Sequence, residues 1–430
     1  MGSFSTPLSG LTAAQQQLQN VSNNLANVST DGFKDRNLTF SDVFSGTSAT
    51  NGAGDPMQTG SGVSVSSTDS DFTEGTLNPT NISSNMALSG NGFFVTQSTS
   101  GLPDYTRAGD FTTNKLGQIT TPSGELLLGY PAVAGVVNTS GSLQPLQVGS
   151  VTSPAVASTT IHISAKLDAG ATVGSADGTA SSTLPVYDSL GTAHTVSVDY
   201  TMTAANTWSY TVTVPSADIA GATGTTTTVA SGTLNFNSEG VLTSTEPTAG
   251  TAPVAPSVGI SLAIPATPAV LTDGAAPMTI NWTLVDSAGN PTITQTATAS
   301  ATNTTGTDGF ASGTLTSYSV QPDGTIEGTF SSGNNLALGQ VAVATFANTQ
   351  GLSNTGNNNY QPTAGSGSAV IGLAGTGGRG TIVGGNVEQS NVNIATEFAR
   401  LIVAQQAYSA NAKSITTFNQ VSQATLAMIQ

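Results

Sequence analysis

Few side chains in this sequence have types suited to catalysis or metal binding. His162 and His194 are its two imidazoles, and cysteine is absent. That absence removes disulfide frameworks, thiol nucleophiles and thiolate-bound metal. A histidine-based zinc site would need a third ligand from the scattered carboxylates. His162 stands between Ile161 and Ile163 in an alternating stretch, which places it on the solvent face of a strand. Gly375-Thr-Gly377-Gly-Arg-Gly380 has the glycine spacing of a dinucleotide loop. Such a loop must open a helix, whereas Thr381-Ile-Val-Gly384-Gly385 follows here and cannot start one, so the segment reads as a flexible loop. No GxSxG elbow is present. Asp69 and Asp71 lack the loop spacing of a calcium hand and read as solvated acids. The Asn-x-Ser/Thr triplets at Asn37, Asn81 and Asn281 follow from the abundance of Ser and Thr. The expectation is a protein with no catalytic residue, no cofactor and no resident metal.

Composition narrows the partners. The 430 residues hold 24 acids against 8 bases, a net charge of −16, and only 7% are charged. An average soluble protein has about 25%. Nucleic acid and anionic membrane both call for basic patches, so neither is expected. The longest apolar runs, such as 341–347, are far short of a membrane-spanning helix. The opening MGSFSTPLSG lacks the basic and apolar regions of a secretory signal. The length suits about two to four domains.

The elements that must carry any function are at the two ends. Thr6 and Pro7 read as a helix start, and Gly32 as its stop. Between them Leu11, Ala14, Leu18, Val21, Leu25 and Val28 follow at alternating spacings of three and four, a heptad seam on a segment, 1–30, without a charged side chain. The other end matches it. Ile394, Phe398, Leu401, Gln405, Tyr408, Ala412 and Ile415 keep the same spacing, followed by Phe418, Val421, Leu426 and Ile429. Residues 394–429 contain no Gly or Pro, enough for a helix about 55 Å long. Ser390, Asn391 or Asn393 supplies its cap, and Glu397 and Arg400 are spaced to pair on its surface. On periodicity alone, an intramolecular antiparallel helix pair and an assembly seam are equally open. The uncharged first helix, the greater length of the second and the connector behind them favour assembly.

The middle reads as β structure. A strand–turn–strand unit with a late glycine recurs at 111–119, 234–242 and 318–326. Residues 31–75, polar and without a period, read as an extended connector. Residues 146–308 hold ten acids and a single base, Lys166, and are rich in Thr, Ala and Ser, as an outward-facing insertion would be. The fold class expected is mainly β with α-helical termini. Coiled-coil-like paired terminal helices (1–30 with 390–430) would carry two nested β domains (76–145 with 309–375, and 146–308), with the connector returning through 376–389.

Several motifs carry a family resemblance. Leu8-Ser-Gly-Leu11-Thr-Ala-Ala-Gln-Gln-Gln-Leu18-Gln-Asn-Val-Ser22-Asn23-Asn24-Leu25-Ala26-Asn27, continuing to Gly32-Phe33-Lys34, resembles the N-terminal signature of the bacterial flagellar rod/hook axial family. Phe398-Ala-Arg-Leu-Ile-Val-Ala404-Gln405-Gln-Ala407-Tyr408-Ser-Ala410-Asn411-Ala-Lys413 resembles its C-terminal signature. Gly90-Asn-Gly92-Phe93-Phe94-Val95, Tyr105-Thr106-Arg107-Ala-Gly109-Asp-Phe111 and Glu388-Gln-Ser390-Asn391-Val392 are similar to intervening parts of the family. Asn393 and Gln406 depart from it, standing where Asp and Arg are frequent.

The resemblance implies a non-enzymatic subunit of an extracellular, curved and flexible tubular polymer that transmits torque. Its partners would be further copies of itself in an open helical homopolymer, a cap protein, the distal rod protein, a junction protein towards the filament and the flagellar type III export apparatus. The length favours the hook branch over the shorter rod members. The self-assembly residues expected are Leu11, Leu18, Val21, Leu25, Val28, Ile394, Phe398, Leu401, Tyr408, Ile415 and Phe418. The alternatives are a distal rod protein, a secreted polysaccharide-active enzyme with paired acids in a cleft, and a surface adhesin.

Overall fold

A computed structural model describes residues 5–50, 56–149, 151–246, 254–265 and 270–429, with side chains of 44–50, 56–59 and 429 left undescribed. The expected connector and outer domain therefore each contain stretches outside the described residues, as does the side chain of Ile429. The described chain is mainly β with two α-helices, α1 (Ser5–Ala26) and α2 (Ile394–Ile429). It divides into two compact units. One comprises Met1–Ser150, Ser317–Gly328 and Leu336–Gln430, the other Val151–Thr316 and Thr329–Asn335.

In the first unit, α1 stops at Ala26, so Val28 lies on the turn that follows and not on the helical seam. The chain reverses at Gly32, whose φ is +69°. Residues 31–75, expected as an extended connector, contain a long antiparallel hairpin, β1 (Arg36–Thr50) and β2 (Pro56–Ser70), with Arg36 opposite Ser70 and Asp42 opposite Val63. Their Ser/Thr-rich sequence hides the pairing, because apolar–polar alternation is confined to two short runs, 38–41 and 63–66. Beyond the hairpin, outgoing and returning chain pair directly. Leu77–Pro79 lies antiparallel to Asn386–Glu388, and Met86–Ser89 to Thr381–Gly384. A sheet follows in which Phe93–Gln97 pairs with Pro103–Thr106 and Leu126–Val133, and Asn335–Thr345 joins Leu126–Val133, Phe93–Phe94 and Val370–Leu373.

Both faces of that sheet are covered, so its central strands read as unbroken apolar runs. Phe94, Val341 and Val343 point into one cluster with Met86, Leu127 and Ile382. Phe93, Val95, Ala342 and Ala344 point into another with Tyr105 and Tyr360. Edge-to-face aromatic pairs, such as Tyr105–Phe346 at 4.9 Å and Phe72–Phe93 at 5.4 Å, seal the second cluster.

The second unit is a sandwich. A five-stranded antiparallel meander runs Thr179–Tyr187, Ala193–Ala204, Thr207–Pro215, Thr226–Phe236 and Leu242–Glu246. The other sheet is mixed: Thr160–Asp168 runs parallel to Met278–Thr283 and Ile293–Thr296 and antiparallel to Ala301–Thr307. Alternation is strict where one face is solvated. Trp208, Tyr210, Val212 and Val214 are buried and their neighbours are not. The core joins these to Ile161, Ile163, Leu262, Ile280 and Trp282, with Tyr210 edge-on to Trp282 at 5.5 Å. His162 is exposed between buried Ile161 and Ile163, as its alternation predicts.

The three sequence repeats share one turn. In each, a residue donates its N–H to the carbonyl four places on and the late glycine donates back to it: Asn114/Gln118 with Gly117, Asn237/Val241 with Gly240, Gln321/Thr325 with Gly324. The same pair of bonds forms at Asp188/Gly191 and Asp286/Gly289, outside the three repeats. Gly240 (φ +76°) and Gly289 (φ +85°) separate two costs. A Cβ at Gly289 meets nothing within 4 Å and would carry only the left-handed backbone penalty, about 1–2 kcal/mol. A Cβ at Gly240 would sit 2.0 Å from the Gln295 carbonyl oxygen. Urea unfolding should show Gly289→Ala losing about that amount and Gly240→Ala clearly more; equal losses would contradict the assigned turn packing.

Candidate assembly site

The terminal helices meet through small and polar residues. Gly10 and Asn24 on α1 lie against Asn411 and Glu397 on α2. A Cβ at Gly10 would come within 2.9 Å of the Asn411 side chain, and Asn24 Nδ2 donates to Glu397 Oε2 at 3.2 Å. The two contacts are equally spaced along both helices, so the pair is antiparallel. Ala404, completely buried, falls between them. On an adjoining face α1 packs on the hairpin: Val63 N donates to Ser9 Oγ at 3.2 Å, and Asn20 Nδ2 to the Arg36 carbonyl. Asn393 caps α2, its Oδ1 accepting from Ala395 N and Thr396 N at 3.0 and 3.2 Å. An Asn in place of the family's frequent Asp performs the same capping.

The stripe of α2 that faces α1 overlaps only one edge of the heptad stripe read from sequence. Glu397, Ala404 and Asn411 lie about a quarter turn away from Ile394, Phe398, Gln405 and Ala412, but within about 60° of Leu401, Tyr408 and Ile415. The expected seam residues therefore separate into two groups. Val21 is buried, and Leu11, Leu18, Leu25, Val28, Leu401 and Ile415 are partly covered. Ile394 (47%), Phe398 (48%), Tyr408 (39%) and Phe418 (41%) are exposed. Ile402, Val403, Val421, Leu426 and Met428 are exposed as well, several on the opposite side of the helix. Only Glu397, Arg400 and Lys413 are charged in this helix of 36 residues. Apolar side chains exposed on several faces of one helix suit a buried setting.

At the root of the helices the chain concentrates its scarce charge. Lys34 and Glu388 are both fully buried and 2.6 Å apart, and Arg107 Nη1 lies 3.4 Å from the other Glu388 oxygen. Each group is satisfied further. Lys34 donates to the Thr73 carbonyl, Gly75 N to Glu388 Oε1, and Arg107 Nη2 to the Gly90 carbonyl at 2.6 Å. Burial pushes the Lys34 ammonium below the ordinary lysine range, against the pull of Glu388. Next to it, buried Asn24 bonds Asp35 Oδ1 and exchanges bonds with the Arg36 backbone, and Arg400 bridges Asp35 and Glu397 at 3.3 and 2.6 Å. Burial, reinforced by Glu397, raises the Asp35 carboxyl; Arg400 opposes it. Asn391 closes the ring, accepting from Asp35 N and donating to the Asp71 carbonyl.

Glu397 and Arg400 do pair, but Glu397 is 1% exposed and the pair belongs to this network and not to the surface. Sequence reading placed Lys34, Arg107 and Glu388 in motifs without linking them. The available signal was scarcity, because Lys34, Arg107 and Arg400 are three of only eight bases.

Removing one partner of a buried pair strands a charge and costs about 3–5 kcal/mol. Glu388→Ala should therefore lower stability by about that much in urea titration. The double variant Lys34→Met/Glu388→Gln, which leaves Arg107 an acceptor, should lose less than the two single changes summed. Strict additivity would show that the pair is not coupled.

Comparison with known proteins addresses the whole chain. Residues 4–34 match the family described as flagella basal body rod protein, 87–173 the flagellar hook protein FlgE/F/G D1 domain, 138–310 the flagellar basal body protein FlaE D2 domain, and 383–428 the flagellar basal body rod FlgEFG protein C-terminal. The chain is 32% identical over 430 residues to the flagellar hook protein FlgE of Salmonella typhimurium, covering 97% of this chain and 98% of the relative. It is also 32% identical over 457 residues to FlgE of Treponema pallidum, covering 97% of each. A crystal structure of Helicobacter pylori flagellar hook protein FlgE2 aligns with a TM-score of 0.48 at 14% identity, covering 71% of this chain and 98% of that one.

Proposed function

Starting from the fact that this chain belongs to the flagellar hook protein family, we propose that the open apolar surface of α2 is the surface through which copies join into the hook. The protein is a structural subunit of the bacterial flagellar hook, outside the cell, and its family is structural and not enzymatic. It polymerises with itself and works among basal-body partners.

The single observation that supports the proposal is the exposure of Ile394, Phe398, Ile402 and Val403, about half of each side chain, on a helix whose contact with α1 is already satisfied elsewhere. Burying such side chains releases about 1.5–3 kcal/mol each when complete. A heterologous contact of this kind, repeated without closing, builds an open helix. In this reading residues 1–30 and 390–430 form the innermost layer, 76–145 with 309–375 the first β domain, and 146–308 the outer one. Val21 and the partly covered Leu11, Leu18, Leu25, Leu401 and Ile415 brace the helix pair. Ile394, Phe398, Tyr408 and Phe418 meet neighbouring copies.

The tube would be curved and flexible, joining rod to filament and transmitting torque. Its scarcity of surface charge leaves few directional ion pairs to oppose sliding between subunits. The cap, the distal rod protein, the junction protein and the type III export apparatus are the partners that this place in the flagellum implies. A chain with no cysteine suits threading through a narrow channel unfolded.

Two outcomes are expected. Phe398→Glu with Ile402→Glu should leave monomer stability within about 0.5 kcal/mol, as exposed substitutions do, and abolish tubes in electron microscopy. Tubes of normal length from that variant would end the proposal. Circular dichroism should show more helix in polymer than in monomer, because the far end of α2 has no described α1 residue opposite it and an isolated helix is marginal. Equal helix content in both would exclude folding on incorporation.

A further inference from the structure

Within the second unit, side chains from three separate stretches of the sequence, Asp188 with His194, Asp218 and Asp273, converge on one point. His194, on the strand Ala193–Ala204, is 3% exposed. Its Nε2 lies 3.2 Å from Asp188 Oδ2 and 3.8 Å from Asp273 Oδ2, and its Nδ1 lies 3.0 Å from Asp218 Oδ2. Asp188 is fully buried. The carboxylates are held by their turns: Asp188 Oδ1 accepts from Leu190 N and Thr192 N, and Asp273 Oδ1 from Ala275 N. Each thus commits one oxygen to its own backbone and presents the other to the imidazole. The charge is unbalanced. Three carboxylates face one imidazole, and the only Lys or Arg among residues 151–316 is Lys166.

We propose that Asp188 Oδ2, His194 Nε2 and Asp273 Oδ2 form a divalent-cation site, with zinc the ion it fits best, and that Asp218 orients the ring through Nδ1. The ligand atoms all lie within 4.8 Å of one another. Zinc bonds of about 2.0–2.1 Å in a tetrahedron place neighbouring ligand atoms roughly 3.3 Å apart, close to the 3.2 Å and 3.8 Å separations from Nε2. A carboxylate behind the non-ligating nitrogen is the usual support for a metal-binding histidine. One imidazole with two carboxylates leaves a fourth position for water.

The site links two parts of the sandwich. Asp188 and His194 come from the meander, and Asp273 from the loop between Ile260–Ile264 and Met278–Thr283 in the other sheet. In a chain without cysteine, a bound ion would be the cross-link that a disulfide supplies elsewhere, formed only after the ligands are brought together by folding.

The test uses the untagged full-length chain, stripped with chelator and titrated with zinc chloride. Calorimetry and elemental analysis should give one ion per chain, and the melting temperature should rise with zinc. Asp273→Asn, at a partly exposed side chain whose Oδ1 bond an amide retains, should melt like the metal-free parent and bind zinc at least tenfold more weakly. His162→Ala, at the exposed histidine, should bind like the parent. Absence of stoichiometric binding would overturn the proposal. So would zinc binding that Asp273→Asn leaves unchanged, which would mark an adventitious ion only.

Discussion

One buried carboxylate, Glu388, holds the first unit together at the point where the chain must pass twice. Its side chain takes both Lys34, on the way out, and Arg107, inside the first sheet, and its backbone oxygen accepts from Gly32 N at 2.7 Å. Burying three charges is costly unless each is paired and hydrogen-bonded; here each is paired, and only Arg107 Nε among their side-chain polar atoms has no partner. The neighbouring ring of Asn24, Asp35, Glu397, Arg400 and Asn391 passes the constraint to both helices. With so few charges available, their collection at this root leaves the helices above it nearly neutral.

That neutrality suits the hook. A long helix with three charged residues and apolar side chains on several faces is poorly matched to water, and well matched to a wall of identical helices. The α1–α2 contact relieves the mismatch only in part, since beside glycine, alanine and polar groups it covers Leu401 and Ile415 incompletely. It holds α2 in place while leaving the larger apolar side chains turned outward. On the proposed assembly surface, a mismatch left open in the single chain would favour growth of a polymer over a population of soluble monomers.

The second unit solves a different problem. Its strands are rich in Thr and Ser, yet it forms a two-sheet core, because alternation places Trp208, Tyr210 and Trp282 inward and lets the hydroxyls face water. Two tryptophans and two tyrosines supply bulk that the many small residues cannot. The recurring glycine turns set strand register, and among the described residues no Lys or Arg ion pair within the unit assists them, consistent with its single such base, Lys166.

Much of this was legible in the residues. Heptad spacing gave both helices, glycine-terminated repeats gave the hairpins, and alternation put His162 on a solvent face. Short-range patterns suffice there because each signal lies within one element. The β1–β2 hairpin was missed because alternation in its Ser/Thr-rich strands is confined to short runs, and Val28 was misplaced because spacing continued past the last helical turn. The heptad stripe of α2 was read correctly as apolar, but periodicity says which side chains cluster and not which partner covers them. Only the tertiary structure turned one edge of that stripe, together with Glu397, Ala404 and Asn411, toward α1. It alone joined Lys34 to Glu388 across 354 residues and gathered His194 with three aspartates, since a charge carries no mark in sequence of the distant group that will balance it.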